Sequence, residues 1–441
     1  MKETKERIAM FFDYEKEPRR AIFCIDVKSF YASVECVARG YDPMEKMLVV
    51  MSHAENTGGL VLASSPKAKE VLGITNVTRK YDVPNHPELV VVPPRMNEYI
   101  KENMKINAIY SEYVAEEDLH IYSIDESFLD VTASWRLFGR TPMELAKLIQ
   151  QRIQKETGLY ITIGIGDNPL LAKLAMDIEA KHNDERLATW HYEDVSEKVW
   201  SIEPMTDMWG IGQRLAKRLN DLGIRSVYDL AHADINSLKR NLGIIGEQLY
   251  AHAHGIDRSR LAEKYIPEER SYNNSQILMR DYLKQDEIEV VIREMADQVA
   301  ARLRKANCQT ECVHLSIGFS KAVKREGTGF SRQMKVPLTN SSRMLIDYCL
   351  MIFRQHWHGE EVRHIGITYS KLNYNTYVQL DLFHEPDEQL KERNLDQLID
   401  EIRQRFGYVS LVHASSVSSG GTAISRASLV GGHAGGMEGL Q

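Results

Sequence analysis

The sequence lacks long apolar runs, a cysteine framework and an excess of positive charge. No stretch approaches the ~20 apolar residues that a helix needs to cross a bilayer, so no membrane partner is expected. The chain has 5 cysteines among 441 residues, and their spacing matches no disulfide framework, which favours a reducing compartment. Residues 1–20 are charged at both ends around a short apolar patch. They predict no secretion signal, and a cytoplasmic location is expected.

The net charge of −7 argues against a uniformly basic protein, although nucleic-acid binding depends on local patches rather than on the sum. Residues 271–378 carry 15 Lys or Arg against 11 Asp or Glu. This surplus is consistent with a basic module and equally with ordinary solvated faces. Hydrophobic residues make up 43% of the chain and charged residues 27%. These shares are typical of globular proteins, and the length predicts two to four domains.

The pattern of apolar residues predicts an α+β protein with several domains. Val-, Ile- and Leu-rich strands alternate with helices as far as about residue 190, and residues 195–260 are helical with short loops. Amphipathic helices and strands alternate again after residue 271. Beyond Phe406 the chain is rich in Ser, Gly and Ala, which predicts a mobile tail.

Two adjacent acids interrupt the stretch "LHIYSIDESFLDV", residues 119–131. Strand signals flank Asp125 and Glu126 on both sides, so the simplest geometry is a hairpin with the acids at or beside its turn. There the alternation of a strand is broken, and both side chains can reach the same end of a sheet. Because Asp-Glu is not the pair that a tight type I′ turn prefers, turn geometry was not the only requirement. On its own the pair also fits a solvated turn.

A third acid, Asp26, ends the apolar strand of "FCIDVKSFYASVE", where an unpaired carboxylate is costly. If that strand lies beside the hairpin, Asp26, Asp125 and Glu126 form a cluster that needs cations between its charges. Carboxylate oxygens in this number suit Mg²⁺, and two such ions form a phosphoryl-transfer site. The alternative is that Asp26 caps the next helix.

Several cations and glycines could hold phosphate groups. Lys69 lies near the start of a predicted helix, behind Ser65, and Lys173 and Lys181 lie two turns apart on another. The turn "WGIG" at 209–212 could let backbone N–H groups approach a DNA phosphate at Gly210 and Gly212. Solvated lysines and an ordinary helix–helix turn are the alternatives. A further segment, "QLDLF" at 379–383, could fill an apolar pocket on a partner or form an edge strand.

Five motifs in register resemble the Y-family translesion DNA polymerases, specifically the bacterial UmuC-like branch. The motifs are "DVKSFYASVE", "YSIDESFLD", "GIGDNPLLAKLA", "WGIGQRLAKRLNDLGI" and "QLDLF". The resemblance implies a right hand of palm, fingers and thumb, followed by a little-finger domain. The expected boundaries are an N-terminal extension at 1–19, palm at 20–36 and 93–192, fingers at 37–92, helix-hairpin-helix-like thumb at 193–262, linker at 263–270, little finger at 271–376, clamp-binding-like segment at 377–385, and C-terminal helix and mobile tail at 386–441.

The resemblance also implies roles for single residues. Asp26, Asp125 and Glu126 match the catalytic carboxylates, which together with the carbonyl of Val27 hold two Mg²⁺ ions. Tyr31 matches the steric gate that leaves no room for a ribose 2′-OH. The remaining expected contacts are Phe30, Ser65, Lys69 and Lys181 to the nucleotide, Gly210 and Gly212 to DNA, and Gln379, Leu382 and Phe383 to a sliding clamp.

Three positions depart from the pattern of many relatives. Pro66 stands where several relatives have Tyr, and Lys69 replaces an Arg, so that a bidentate phosphate contact becomes a point charge. Lys181 lies one residue further from Lys173 than in many relatives.

The expected reaction is template-directed addition of deoxynucleotides to a primer 3′-OH, in error-prone translesion synthesis during DNA repair. The implied partners are primer–template DNA, deoxynucleoside triphosphates, a sliding clamp and accessory proteins of the SOS response. A catalytically silent DNA- and clamp-binding factor of the same fold is one alternative, which the presence of all three carboxylates disfavours. A metal-dependent nuclease is another, but the sequence lacks the additional His or Asp clusters of such enzymes.

Overall fold

The computed structural model describes residues 12–52, 59–320, 327–374 and 386–435. The chain divides into two compact units: Met1–Lys264 with Ala434–Gln441, and Tyr265–His433. Each unit contains helices and strands, in agreement with the predicted α+β class. Within the described part of the chain, no helix is both long enough and apolar enough to cross a membrane.

The first unit contains strands, α-helices and two π turns. The strands are β1 (Ile22–Val27), β2 (Leu48–Ser52), β3 (Leu60–Ser64), β4 (Val90–Val92), β5 (Leu119–Ile121), β6 (Glu126–Asp130), β7 (Ile161–Gly166) and β8 (Leu187–Trp190). The helices are α1 (Phe30–Val37), α2 (Pro66–Leu72), α3 (Met96–Tyr110), α4 (Pro142–Thr157), α5 (Pro169–Leu174), α6 (Gln213–Asp221), α7 (Val227–Ala231), α8 (Ile235–Leu242) and α9 (Ile244–Ala253). Two π turns cover Ala175–Glu179 and Val195–Val199.

A five-stranded sheet in the order β5-β6-β1-β7-β8 forms the centre of this unit. β1 is antiparallel to both β6 and β7, and β8 is parallel to β7. Every residue of β7, "ITIGIG", is buried, as expected for a strand covered on both faces. This central position of β1 brings its last residues next to the start of β6.

Glycines in β7 let the following helix lie directly on the sheet. A Cβ on Gly164 would lie 2.1 Å from the carbonyl oxygen of Ala172, and one on Gly166 would lie 2.2 Å from the Ala172 nitrogen. Asn168 caps the helix, because its Oδ1 accepts from the Leu171 N–H at 2.9 Å. Such a cap contributes about 1 kcal/mol. The close approach places Lys173, on α5, against the sheet.

A smaller three-stranded sheet, β3-β2-β4, carries α2. Its apolar core contains Val49, Met51, Val61 and Ala68. The helix predicted around Lys69 is present as α2. The helices α6 to α9 share a separate core with the second π turn, in which Trp200, Leu219 and Leu230 are buried.

The second unit is a four-stranded antiparallel sheet in the order β11-β10-β12-β9, with two long helices packed on its apolar face. Its strands are β9 (Tyr272–Tyr282), β10 (Gln309–Phe319), β11 (Gly329–Thr339) and β12 (Val362–Asn373). Its helices are α10 (Gln285–Lys305), α11 (Ser342–His356), α12 (Pro386–Phe406) and α13 (Ala423–Arg426), and the last strands are β13 (Leu429–Val430) and β14 (His433–Ala434).

The composition beyond Phe406 favours a mobile tail, whereas part of this segment packs tightly on α10. A Cβ on Gly420 would lie 2.6 Å from the Cα of Glu287, so only a glycine fits. The buried carboxylate of Glu294 accepts the N–H groups of Thr422 and Ala423 at 2.9 and 3.0 Å. Small residues therefore act here by allowing backbone to approach backbone, which composition alone does not reveal.

Candidate active site

The hairpin of β5 and β6 has the geometry that the sequence predicts. β5 ends at Ile121, which pairs with Ser127, and Glu126 is the first residue of β6, so Asp125 lies in the turn. The Ser123 hydroxyl donates to Oδ1 of Asp125 at 2.7 Å, and the Val27 N–H donates to the Asp125 carbonyl oxygen at 2.9 Å. These bonds fix the turn against the end of β1.

Asp26 faces Glu126 directly across the β1–β6 pair. Side chains opposite each other on neighbouring strands share a face, with Cβ atoms about 5 Å apart. Burial raises the pKa of Asp26 to about 6; the neighbouring carboxylates of Asp125 and Glu126 add to this effect, and Lys181 opposes it. The three acids therefore meet at one end of the sheet, as predicted, and burial disfavours the charged form of Asp26.

Two lysines on one helix face contact these carboxylates. Nζ of Lys173 lies 2.8 Å from Oε2 of Glu126, and Nζ of Lys181 lies 3.4 Å from Oδ2 of Asp26. Asp177 joins the two lysines, with an oxygen 2.9 Å from each Nζ. The result is a chain of alternating charges that runs along the helix beside the carboxylate cluster.

The helix changes its winding between these lysines. After Leu174 the α-helix gives way to the π turn at Ala175–Glu179. Because a π turn closes i→i+5 bonds, it takes up one more residue than an α turn. The stretch between Lys173 and Lys181 therefore holds one residue more than regular α turns would, and Lys181 reaches Asp26.

Two further lysines lie near Asp26. Nζ of Lys69 donates to the Ser29 hydroxyl at 2.9 Å, and Nζ of Lys28 donates to the Lys181 carbonyl oxygen at 3.0 Å. Burial lowers the pKa of both lysines, and repulsion from the neighbouring lysines adds to this effect. Cations that repel each other at one place attract a polyanion such as a triphosphate.

The aromatic pair of α1 lies beside the acids. Phe30 is buried and Tyr31 is partly exposed. Burial raises the pKa of Tyr31, and the Asp125 carboxylate adds to this effect, so the phenol lies within electrostatic reach of the hairpin. Its ring stacks on Tyr99 with centroids 4.4 Å apart.

The donor set fits divalent metal ions of the Mg²⁺ type. Asp26, Asp125 and Glu126 offer the hard carboxylate oxygens that Mg²⁺ prefers, and burial disfavours the charged form of Asp26 when no metal ion is present. In the described part of the chain, no three acidic, His or Cys side chains are already arranged as metal ligands, since Glu126 turns to Lys173 and Asp26 to Lys181. Metal binding would therefore require these two ion pairs to rearrange.

Three parts of the chain match known protein families. Residues 25–177 match the impB/mucB/samB family, and residues 269–382 match the C-terminal domain of that family. Residues 206–257 match the thumb domain of DNA polymerase-iota. A solved Y-family DNA polymerase chimera of Dbh and Dpo4 superimposes with a TM-score of 0.65 at 21% identity, covering 80% of this chain and 100% of the chimera.

UvrX of Bacillus subtilis (strain 168), whose name refers to UV-damage repair, is 40% identical over 422 residues. The match covers 96% of this chain and 99% of UvrX. DNA polymerase IV 2 of the same organism is 37% identical over 417 residues, which cover 94% of this chain and 98% of the relative. The chain belongs to the Y family of DNA polymerases. It is a DNA-directed DNA polymerase, and the family acts in DNA repair.

The predicted DNA contacts of this Y-family polymerase lie within the part that matches a thumb domain. Gly210 has a φ of +94°, which favours glycine, and Gly212 precedes α6. A Cβ on either glycine would meet nothing within 4 Å. No side chain caps the Gly212 end of α6 in the described structure, so its first N–H groups can donate to a ligand.

Ser65 lies at the start of α2, as predicted, but its hydroxyl is already engaged within the fold. The residue is fully buried, and its hydroxyl accepts the N–H groups of Ala68 and Leu48 and donates to the Lys46 carbonyl oxygen. The hydroxyl is thus committed to capping α2 and holding β2, and the arrangement leaves it no free bond for a triphosphate. The pattern Ser-Pro at a helix start already favours such a cap.

Two lysines beside the carboxylates, Lys28 and Lys173, lie outside the set of predicted site residues. Their roles depend on contacts over more than 40 positions of sequence, such as that of Lys173 with Glu126. The adjacency of Lys28 to the strand end at Val27 was the available signal. Gln379, Leu382 and Phe383 lie outside the described residues, and the clamp contact stays a prediction.

Proposed function

We propose that this Y-family polymerase performs translesion synthesis by adding deoxynucleotides to a primer 3′-OH at Asp26, Asp125 and Glu126. The observation that carries the proposal is the convergence of these carboxylates with Lys28, Lys69 and the Lys173–Lys181 helix at one end of the central sheet. Acids that can hold cations and lysines that can hold a triphosphate are the two parts that phosphoryl transfer requires.

The carboxylates hold two Mg²⁺ ions in this proposal, together with the carbonyl of Val27. When bound, the ions lower the pKa of the 3′-OH and stabilise the negative charge of the triphosphate. Rearrangement of the Lys181–Asp26 pair, 3.4 Å apart, frees the carboxylate for a metal ion and the ammonium for a phosphate. Lys69, held at the Ser29 hydroxyl, approaches the same phosphates from α2.

The aromatic residues select the sugar. Tyr31 lies beside Asp125 and packs on Tyr99, while the adjacent Phe30 is buried and its ring contacts both tyrosines. A fixed ring at this place excludes the 2′-OH of a ribonucleotide, because that group is the difference between the two sugars.

The thumb turn at Gly210 and Gly212 holds the DNA backbone through N–H groups, without reading its sequence. The segment Gln379–Phe383 docks on a sliding clamp and raises the effective concentration of the enzyme at the primer end. Accessory proteins of the SOS response are further partners. Deleting residues 379–383 is expected to reduce processivity with the clamp and to spare extension without it. Equal losses under both conditions would contradict this role.

The translesion role is supported by relatives whose names refer to UV-damage repair and to DNA polymerase IV. A primer-extension assay with Mg²⁺ and deoxynucleotides on an undamaged and an abasic template tests it. Extension on both templates supports the proposal, and extension on the undamaged template alone contradicts the translesion role. Binding without extension would indicate an accessory factor, and shortening of the template would indicate a nuclease.

A further inference from the structure

The ring proposed to select the sugar is supported by a second aromatic ring. Tyr31 on α1 stacks on Tyr99 of α3 with centroids 4.4 Å apart and planes inclined by 15°. Tyr99 is fully buried. Stacked rings contribute about 1 kcal/mol beyond the area they bury. Tyr99 therefore covers one face of the Tyr31 ring, which is the proposed sugar gate. The position of Tyr99 limits how far that ring can move away from the sugar.

A buried carboxylate determines that position. The Tyr99 hydroxyl donates to Oε1 of Glu35 at 2.8 Å. Glu35 lies one helical turn after Tyr31 on α1, so the two residues share a helix face, and its side chain has no exposed surface. Tyr99 thus contacts α1 through its ring, at Tyr31 and at Phe30, and through its hydroxyl at Glu35.

Two arginines hold Glu35 in turn. Nε and Nη2 of Arg95 donate to its two oxygens, each at 2.9 Å, and Arg39 donates to Oε2. Burial raises the pKa of Glu35, but the hydrogen bonds from Arg95, Tyr99 and Arg39 outweigh it and hold the pKa below its usual value. The carboxylate is thus charged at neutral pH, and the two-pronged contact with Arg95 fixes its plane.

We propose that Glu35 is a positioning residue for sugar discrimination, acting through the Tyr99 hydroxyl on the Tyr31 ring. The inference rests on the proposed role of Tyr31 as the sugar gate. Its basis is geometric: Glu35 holds the Tyr99 hydroxyl and Tyr99 stacks on Tyr31, so loss of the bond to Glu35 removes the hydrogen bond that fixes the Tyr99 ring against the gate. A shift of about 1 Å in a positioning group is enough to change reactivity up to about 10²-fold.

The test measures single-nucleotide insertion of a deoxynucleotide and of the ribonucleotide with the same base, and compares their kcat/KM values. The variants are Glu35→Gln, which weakens the ion pairs, and Tyr99→Phe, which keeps the stacked ring and removes only the hydroxyl contact. Tyr31→Ala tests the gate itself. Partial unfolding lowers both insertion rates equally, so the ratio reports positioning and not the amount of folded enzyme.

Glu17→Gln is the matched control. Glu17 is a buried acid that also pairs through two hydrogen bonds with one arginine, Arg258. Neither residue contacts α1 or α3 in any described hydrogen bond. The variant loses a comparable ion pair in the same unit and is expected to keep the wild-type ratio.

We expect Tyr31→Ala to lower discrimination the most, and Glu35→Gln and Tyr99→Phe to lower it about tenfold each. If Tyr31→Ala lowers discrimination while Glu35→Gln and Tyr99→Phe keep the wild-type ratio, the positioning role is refuted and the gate stands. If Tyr31→Ala leaves the ratio unchanged, the gate fails and the inference fails with it. A drop in Glu17→Gln equal to that in Glu35→Gln would also refute the inference.

Discussion

Two aspartates, the partly buried Asp26 in the first unit and the buried Asp297 in the second, have pKa values shifted in opposite directions. Burial raises the pKa of Asp26 to about 6, with further contributions from neighbouring carboxylates. Burial also acts to raise the pKa of Asp297, but bonds from His413, Ser342 and Arg403 outweigh it and hold that pKa far below the usual value. The same side chain is thus poorly neutralised at the proposed active site and fully neutralised in the second unit.

The partners explain the difference. Asp297 on α10 accepts from the Ser342 hydroxyl at 2.6 Å and from Nη1 of Arg403 at 2.7 Å. Among the described contacts, Asp26 has one ion pair, with Lys181 at 3.4 Å, and Lys181 is shared with Asp177. A charge with a complete set of donors stabilises structure, whereas a charge without one is available to a ligand. Because both aspartates lie close to a cation, proximity to a cation does not distinguish the structural role of Asp297 from the proposed ligand-binding role of Asp26. The number and direction of their hydrogen-bond donors do.

The largest effect is expected at Asp26. Asp26→Asn should lower the rate of primer extension about 10³-fold or more, because it removes an oxygen charge from the reaction site. Since its raised pKa shows that the charged form is disfavoured in the fold, the free energy of unfolding in metal-free buffer at pH 7.5 should stay unchanged or rise by about 1 kcal/mol. Single-turnover extension and thermal unfolding measure the two effects. A large loss of stability would mean that Asp26 is structural.

Asp297→Asn should have the opposite profile. Breaking a buried ion pair from one side costs about 3 kcal/mol, and the Arg403 guanidinium is only 8% exposed. Chemical denaturation should show the loss in the transition of the second unit. The matched control is Asp281→Asn, because the Asp281 ion pair with Arg363 is much more exposed, 3.4 Å long and expected to contribute below about 1 kcal/mol. Equal losses in the two variants would contradict the comparison.

Lys181→Ala should raise the KM for deoxynucleotides about tenfold, since a charge-assisted hydrogen bond contributes about 1.5 kcal/mol. The kcat should change less than the KM. Lys147→Ala, on α4, is the control, because Lys147 is half exposed and pairs only with the exposed Glu185 among the described contacts. Steady-state insertion kinetics measure both constants. A wild-type KM in the Lys181→Ala variant would show that Lys181 does not bind the nucleotide.

The smallest effect is expected at His413. Its hydrogen bond with Asp297 raises the pKa of this histidine above its usual value. The stabilisation is therefore complete below the unfolded pKa of about 6.5 and is lost as the pH rises through the higher folded value. Because the ring is half exposed, His413→Ala should lower the free energy of unfolding by less than about 1 kcal/mol at pH 6 and have no effect at pH 9. A larger loss of unfolding free energy at pH 9 than at pH 6 would contradict this prediction.

Local signals were enough to predict the carboxylate end of the sheet. The strand patterns on both sides of Asp125 and Glu126 predicted the hairpin, and an acid at the end of an apolar strand predicted the place of Asp26. Both predictions depend on the two-residue period of strands, which a sequence displays directly.

Contacts between distant segments could not be predicted in this way. The support of Tyr31 by Tyr99 joins residues 68 positions apart, and the bond from Arg403 to Asp297 joins residues 106 positions apart. The tail shows the same limit. Gly420 predicts flexibility by composition, yet its missing side chain is what lets it pack on Glu287.

Primer extension by Asp125→Asn, with DNA binding measured on the same preparation, tests the proposed polymerase site most directly. Asp125 lies in the hairpin turn and is bonded there by Ser123, so an amide of the same size should leave the fold and the DNA contacts unchanged. We predict that extension is nearly abolished while the affinity for primer–template DNA stays within about twofold of wild type, a difference below about 0.5 kcal/mol. Normal extension by this variant would refute the site.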